Sequence, residues 1–206
     1  MDIQNIETAS KEFLGIECAT TELLSIDKKK DVQNILRNIF SQKKIQKILL
    51  INPPDGDEKI FNYRIAKSGR YTNFAPYGIG IIAKHLEKRK YDTKILNLNH
   101  IILDKVSKCQ SEKDFSYKKV LEESINQTIE DFKPDFIGIT CMFSMTHVSI
   151  KDVTRIIKEK SNIPIAAGGV HISNAIWDKN TRLKFAEDLK NIDLFFLFEA
   201  EIAFTE

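Results

Sequence analysis

From Ile45 onward, the apolar residues alternate between short unbroken runs and stretches with helical spacing. A short apolar run without polar alternation is typical of a parallel strand that is covered on both faces. Such runs predict five strands, at residues 48–52, 93–98, 136–140, 163–167 and 192–198. Apolar positions three and four apart predict helices at residues 76–88, 117–132, 148–160 and 182–189. Strands that alternate with helices indicate an α/β fold, a doubly wound parallel sheet with right-handed crossovers.

Two polar segments and the N-terminal region do not follow this alternation of strands and helices. Residues 55–75 predict a long polar loop, and loops of that length are commonly functional or mobile. Residues 101–118 are charged and predict irregular structure. Residues 1–44 contain one glycine and no proline, and their apolar spacing predicts two short helices. We therefore expect a helical extension at residues 1–44 and an α/β domain at residues 45–206.

The ends of two neighbouring predicted strands indicate a ligand site. One strand runs directly into Gly168 and Gly169, and another ends in the hydroxyl of Thr140. Open α/β sheets bind their ligands at the carboxyl ends of the strands, and glycines there leave room for close approach. A tight turn would explain one glycine, whereas two in succession favour a crevice for a large, flat ligand.

Two other patterns have simpler explanations. Tyr77–Ala83 matches the GxGxxA fingerprint in form, but that fingerprint needs its glycines directly after the first strand. Close packing of a helix on the sheet explains Gly78 and Gly80 better. His147 and His171 follow strand ends, where they could touch a cofactor, although a loop histidine is more often solvated or locally hydrogen-bonded.

Composition and charge exclude several classes of function. Lysine and arginine number 31 against 29 aspartate and glutamate residues, so a net charge of +2 gives no reason to expect nucleic acid or an anionic membrane as partner. Cys18, Cys109 and Cys141 are widely spaced and predict neither a disulfide framework nor a metal site. No nucleophile–base–acid set is evident, so no catalytic residue is predicted. No long apolar segment or signal peptide is present, and we expect a cytoplasmic protein.

From Ile45 to its end the chain resembles a known family, on the following motifs. The matching segments are Asn52-Pro53-Pro54, Pro76-Tyr77-Gly78-Ile79-Gly80, Lys133–Thr140 and Pro164–His171. In combination they resemble the N-terminal cobalamin (vitamin B12)-binding domain of cobalamin-dependent radical S-adenosylmethionine enzymes. The resemblance covers about four-fifths of the chain. It implies a five-stranded, flavodoxin-like (Rossmann-like) sheet in the order 2-1-3-4-5, with cobalamin at its carboxyl edge.

The resemblance also implies site residues. In such domains the nucleotide tail of the cofactor passes a Ser-x-Leu segment and a Gly-Gly pair. Here the corresponding residues are Thr140, Cys141 and Met142, followed by Gly168 and Gly169, with Asn52 and His171 as further candidate contacts. A hydroxyl can hydrogen-bond the benzimidazole, and bare glycine backbone admits the bulky tail. A Gly169→Leu substitution would then be expected to abolish cobalamin binding by filling the groove.

Three features depart from the family pattern. The Asp-x-His-x-x-Gly motif, which supplies a histidine to cobalt in mutase-type domains, is absent after the first strand, so no metal ligand is predicted. The chain reads Phe198-Glu199-Ala200-Glu201 where the family has Gly-Glu-Gly-Glu. No CxxxCxxC occurs before Glu206, so an iron–sulfur cluster and S-adenosylmethionine would belong to a missing catalytic domain or a separate chain.

These observations leave two functions open. The first is a cobalamin-binding module of a radical S-adenosylmethionine enzyme of the methyltransferase type, not catalytic as an isolated chain. The second is a degenerate cobalamin-domain fold that acts as an interaction scaffold. Ile202, Ala203 and Phe204 resemble the start of a helix that would cover the last strand. We therefore expect either that the natural chain continues past Glu206 or that a partner supplies this cover.

Overall fold

The structure is a computed structural model, and it describes residues 34, 37–40 and 44–198. The chain divides into two units, Met1–Gln42 and Lys43–Glu206. Most of the predicted helical extension lies outside the described residues, as does everything after Phe198. The fold is therefore that of the second unit.

A five-stranded sheet forms the centre of this unit. Its strands are β1 (Lys47–Asn52), β2 (Asp92–Asn97), β3 (Phe136–Thr140), β4 (Ile165–Gly168) and β5 (Leu194–Phe195). Their order is β2-β1-β3-β4-β5, and every neighbouring pair is parallel. The predicted strand order 2-1-3-4-5 is confirmed.

Helices connect the strands and cover the sheet. They are α1 (Tyr63–Lys67), α2 (Tyr77–Lys88), α3 (Leu98–Lys108), α4 (Tyr117–Phe132), α5 (His147–Lys160), α6 (Val170–Trp177) and α7 (Arg182–Asp188). Single 3₁₀ turns lie at Glu112–Asp114 and Ser144–Thr146. Of the helices described, none is long and apolar enough to cross a bilayer.

The prediction of irregular structure at residues 101–118 was wrong for its first part. Helix α3 occupies Leu98–Lys108 because Leu98, Ile102 and Val106 repeat every four residues and are buried. The side chain of Asn97 caps this helix by accepting a hydrogen bond from the His100 backbone N–H. The chain thus turns from β2 into a helix without a loop.

The last strand is much shorter than the predicted strand at residues 192–198. Only Leu194–Phe195 pairs with β4, and the Phe196 N–H then donates to the Ala167 carbonyl. Phe198 follows in the left-handed region, with φ 59°. A non-glycine residue in that region marks a bend, so the apolar run leaves the sheet before its end.

Two aspartates fix strands at the amino edge of the sheet. The Asp135 N–H donates to the Lys47 carbonyl, and Asp135 Oδ2 accepts from the Lys47 N–H at 2.9 Å. Asp193 makes the same two bonds with Ile165, where Oδ2 accepts at 2.8 Å. Each aspartate therefore locks the start of one strand against its neighbour.

The strands present alternate residues to the two sheet faces. One face belongs to the main core, where side chains of β1, β3 and β4 pack with α3, α4 and α5. The fully buried members of this core include Leu49, Ile51, Leu98, Ile125, Ile137, Ile150, Ile157 and Ile165. The opposite face, beneath α2, is built from smaller residues and contains the candidate site.

Candidate cofactor site

A cavity of about 470 Å³ lies between α2 and the carboxyl half of β3 and β4. Leu50, Gly138 and Ala166 lie side by side in the strand register and line its floor. Two residues nearer the carboxyl ends of β3 and β4, Thr140 lies opposite Gly168. Because three of these residues are glycine or alanine, the sheet surface leaves depth that larger side chains would fill.

The two glycines after β4 serve different purposes. Gly169 has φ 115°, and a Cβ there would lie 2.6 Å from the Cys141 carbonyl oxygen. Gly168 does not share this strain, since its nearest contact for a Cβ is the Phe196 carbonyl oxygen at 3.4 Å. Gly169 is thus required by the turn, and it lines the cavity together with Gly168, whose missing side chain leaves space there. The Gly169→Leu test would disrupt the turn itself.

Gly78 and Gly80 are not explained by close helix–sheet packing, and that prediction was wrong. A Cβ at either position would meet no atom within 4 Å. Gly78, in the first turn of α2, lines the cavity. Its missing side chain therefore widens the cavity instead of allowing closer contact.

Strand alternation separates the three predicted residues at the end of β3. Thr140 and Met142 line the cavity, whereas Cys141 faces the main core and is fully buried. The Cys141 thiol lies 3.1 Å from Thr146 Oγ1, and burial raises the pKa of this thiol. Cys141 thus lies behind the cavity wall, and its backbone carbonyl receives the His171 N–H.

A second cavity, of about 600 Å³, adjoins the first. Gly78, Ile79, Thr140 and Met142 line both. Its other walls come from the loop after β1, the start of α3 and the start of α4, and Asn52 lies among them. The Tyr117 hydroxyl donates to the Gly56 carbonyl at 2.6 Å and ties this loop to α4.

His171 points into a cluster of polar side chains beside the first cavity and does not line it. Its Nε2 lies 3.2 Å from His147 Nδ1, and His147 Nε2 lies 2.6 Å from Asp188 Oδ2. Because the carboxylate can only accept, His147 donates from Nε2, and in the neutral imidazole its Nδ1 accepts from His171. Lys151 also bonds Asp188. The cluster thereby joins the starts of α5 and α6 to α7.

This cluster predicts a pH-dependent stability. Burial, and then the nearby His147, lower the pKa of His171 below its ordinary value. Below a pH of about 6.5 the unfolded state therefore binds more protons than the folded state, and stability falls as the pH falls. We expect His171→Gln to lose less thermal stability than the wild type between pH 7 and pH 5. Equal losses in melting curves would contradict this, and His85→Gln, at a histidine outside the cluster, serves as the control.

Comparison with known proteins identifies the family. The family described as B12 binding domain matches residues 64–186. This chain belongs to the B12-binding domain family. Cobalamin is accordingly its cofactor, and the predictions of the cofactor and the domain type are confirmed.

One curated protein and one solved structure are similar to this B12-binding domain. Cytidylyl-2-hydroxyethylphosphonate methyltransferase from Streptomyces wedmorensis is 25% identical over 163 residues, which are 79% of this chain and 28% of that protein. A solved structure, the methanol:cobalamin methyltransferase complex MtaBC from Methanosarcina barkeri, is similar with a TM-score of 0.41 and 13% identity. That similarity covers 80% of this chain and 50% of the other. This chain therefore spans less than a third of the curated relative.

The residues of the first cavity fit the tail of cobalamin. Its lining residues are apolar or neutral polar, and the Thr140 hydroxyl is a hydrogen-bonding group within it. Gly78 and Gly168 leave the space that an aromatic base needs. No group of three or more metal-ligating side chains lies close together in the described part of this B12-binding domain.

The sequence interpretation missed most of the lining residues, and three of them, Gly78, Gly138 and Ala166, are small. A signal for two of them was present. On β3, Gly138 lies two positions before Thr140. On the neighbouring strand β4, Ala166 lies two positions before Gly168. Small residues at every second position predict a strand face with room above it.

Proposed function

We propose that this chain is the cobalamin-binding module of a radical S-adenosylmethionine enzyme of the methyltransferase type. The single observation that supports it best is the apolar cavity between α2 and the glycine-lined end of the sheet in a B12-binding domain. The methyltransferase type is supported by the name of the curated relative. The iron–sulfur cluster and S-adenosylmethionine would be held by a catalytic domain or partner chain.

In this proposal the chain holds and orients the cofactor. Thr140 donates or accepts a hydrogen bond at the buried base, Gly168 lets the tail approach the backbone, and Met142 packs against it. Cobalamin, when bound, supplies the redox-active cobalt on which methyl transfer depends. Cys141 and His171 act as positioning residues, since both hold the Gly168–Gly169 turn from outside the cavity.

No catalytic residue is assigned to this chain. His147 and Asp188 form an imidazole–carboxylate pair, but the second imidazole nitrogen is used by His171 and not by a hydroxyl or thiol. An imidazole in that position activates no nucleophile. The isolated chain therefore binds cofactor and leaves the reaction to its partner.

The experiment that tests the cofactor assignment is a titration of the full chain with hydroxocobalamin. We expect a shift of the corrin absorption spectrum and co-elution of colour with protein on a desalting column. No spectral shift and no retained corrin, at protein concentrations in the high micromolar range, would overturn the assignment. A melting curve of the same sample verifies that the protein is folded.

The rival proposal, an interaction scaffold, rests on Phe198. This residue stands where the family has glycine, lines the first cavity and packs edge-on against Trp177 at 5.4 Å between ring centroids. Both rings are more than half exposed and could contact a protein. The cavity nevertheless remains about 470 Å³ with Phe198 in place, which favours the cofactor. Capture of a partner by a chain that binds no corrin would favour the scaffold.

A further inference from the structure

The second cavity is lined by one negatively charged side chain and by no positively charged one among the described residues. Among its described lining residues there is no lysine, arginine or histidine, and Asp55 is the one carboxylate. The first cavity is lined by no charged side chain among the described residues. An anionic group that entered either cavity would therefore meet no cation, and in the second cavity it would meet a like charge.

Asp55 is held in place by Asn99. The Asp55 N–H donates to Asn99 Oδ1 at 3.2 Å, which identifies that atom as the amide oxygen. Asn99 Nδ2 then donates to Asp55 Oδ2 at 3.2 Å and to the Thr72 carbonyl at 3.3 Å. Asn99 is buried and its amide is fully used. Within the described residues, no hydrogen bond reaches the second oxygen of Asp55.

Asn52 supplies a second acceptor in the same cavity. Asn97 Oδ1 accepts from the His100 backbone N–H, so it is an oxygen, and it also accepts from Asn52 Nδ2 at 3.1 Å. The Asn52 amide is thereby oriented, with its own oxygen turned away from Asn97. No described residue donates to that oxygen. The cavity thus offers two acceptors, Asp55 and Asn52, whose orientation is set by the side-chain amides of Asn99 and Asn97.

The two cavities adjoin and share four lining residues. Thr140, Met142, Gly78 and Ile79 face both, so a ligand with its tail in the first cavity has its next part beside the second. Cobalamin is large enough to reach both, and the rim of its corrin ring bears neutral primary amides. Primary amides donate N–H groups, which is what unpaired acceptor oxygens require.

We propose that the second cavity receives peripheral amides of the corrin ring and discriminates against corrins that carry a carboxylate in their place. Asp55 is the specificity residue and Asn52 a second acceptor. This inference rests on the proposed cofactor function. A primary amide donates to both oxygens, whereas a carboxylate leaves them unsatisfied and is repelled by Asp55.

The direction in which the pKa of Asp55 is shifted agrees with this role. Burial raises the pKa of Asp55, and the hydrogen bond from Asn99 opposes this effect only as the smaller cause. The hydrogen bond from Asn99 thus offsets only part of the cost of burying the Asp55 carboxylate. An incoming donor would improve its surroundings, and an incoming anion would worsen them.

The experiment compares three ligands on the full wild-type chain at pH 7.5. They are hydroxocobalamin, its monocarboxylic acids with one peripheral amide hydrolysed, and the N-methylamides made from those acids. A like-charge contact costs several kcal/mol, so at least one monocarboxylate is expected to bind more than about tenfold more weakly than hydroxocobalamin. The matching N-methylamide, which is neutral and larger, is expected to stay within about threefold of hydroxocobalamin.

Asp55→Asn then tests the residue, with Asp92→Asn, at the opposite edge of the sheet, as the charge-matched control. The discrimination is expected to shrink below about threefold in Asp55→Asn and to persist in Asp92→Asn. Equal affinities for all wild-type ligands would overturn the inference, as would an N-methylamide bound as weakly as its acid. Discrimination that survives in folded Asp55→Asn would also overturn it. Failure of hydroxocobalamin itself to bind would reject the cofactor function as well.

Discussion

Replacing Gly78 with leucine is expected to abolish cobalamin binding while leaving the fold at least as stable as the wild type. Gly78 lines both cavities, and a Cβ there meets nothing within 4 Å, so a leucine fits the protein but occupies ligand space. Leucine is also favoured over glycine within a helix, by about 0.5–1 kcal/mol. We expect affinity for hydroxocobalamin to fall by more than about 100-fold, with a melting temperature equal to or a few degrees above that of the wild type.

The matched control is Gly80→Leu, in the same helix. Gly80 has the same open surroundings but is not among the residues that line either cavity. Its leucine variant should gain the same helix propensity and keep cobalamin affinity within about threefold. Binding measured by spectral titration and stability by thermal melting distinguish the two. If Gly78→Leu binds as the wild type does, the cofactor does not use these cavities.

Gly169→Ala is expected to cause the largest loss of stability among single substitutions at the site. The new Cβ would lie 2.6 Å from the Cys141 carbonyl oxygen and 2.9 Å from its carbon, both backbone atoms that cannot move aside cheaply. The backbone also holds φ 115°, a region that favours glycine. We expect a loss of about 3 kcal/mol or more, which corresponds to a fall in melting temperature of roughly 6–12 °C.

Gly168→Ala provides the comparison for this effect. Its Cβ would meet the Phe196 carbonyl oxygen at 3.4 Å and the Phe196 Cβ at 3.6 Å, which are close to ordinary contacts. Its melting temperature should stay within about 3 °C of the wild type. Equal melting temperatures for the two alanine variants would show that the turn is not strained at Gly169.

Much of the fold could be predicted because β1, β3 and β4 are short and mostly apolar runs. The strand at Phe136–Thr140 and the helix at Tyr117–Phe132 have the predicted bounds. Helix α3 was missed because its apolar stripe begins at Leu98, a residue that the strand prediction had already used, and its last turns contain Asp104, Lys105 and Lys108. Helix α6 was missed because it starts directly after the Gly168–Gly169 turn with no capping side chain.

The site could be predicted in part for the same reason. Thr140 and Gly168 follow from the rule that ligands bind at strand ends, and Met142 follows from the family resemblance; all three line the first cavity. Cys141 lies on the other side of the wall because strand alternation turns every second side chain away. His171 is displaced because the chain enters α6 after the glycine turn, and its ring bonds His147.

The second cavity could not be predicted from the sequence. Its walls depend on the path of the loop after β1, which is set by contacts between residues far apart in the chain. The Tyr117 hydroxyl on the Gly56 carbonyl and the Asn99 amide on Asp55 are such contacts. Lys67 adds three hydrogen bonds to carbonyls at the end of α3, the shortest at 2.6 Å. No local pattern of polar and apolar residues encodes these partners.

The aspartates at the amino edge of the sheet bear on how such a domain can change over evolutionary time. Asp135 and Asp193 fix the alignment of β3 with β1 and of β5 with β4 at the end of the sheet opposite the two cavities. A slip of one residue would exchange the two faces of a strand and replace a cavity floor by core side chains. Because these alignments are secured at the amino edge, the loops at the carboxyl edge can accumulate substitutions and insertions without shifting β3 against β1 or β5 against β4. The alignment of these strands can therefore persist while the loops that determine ligand specificity change.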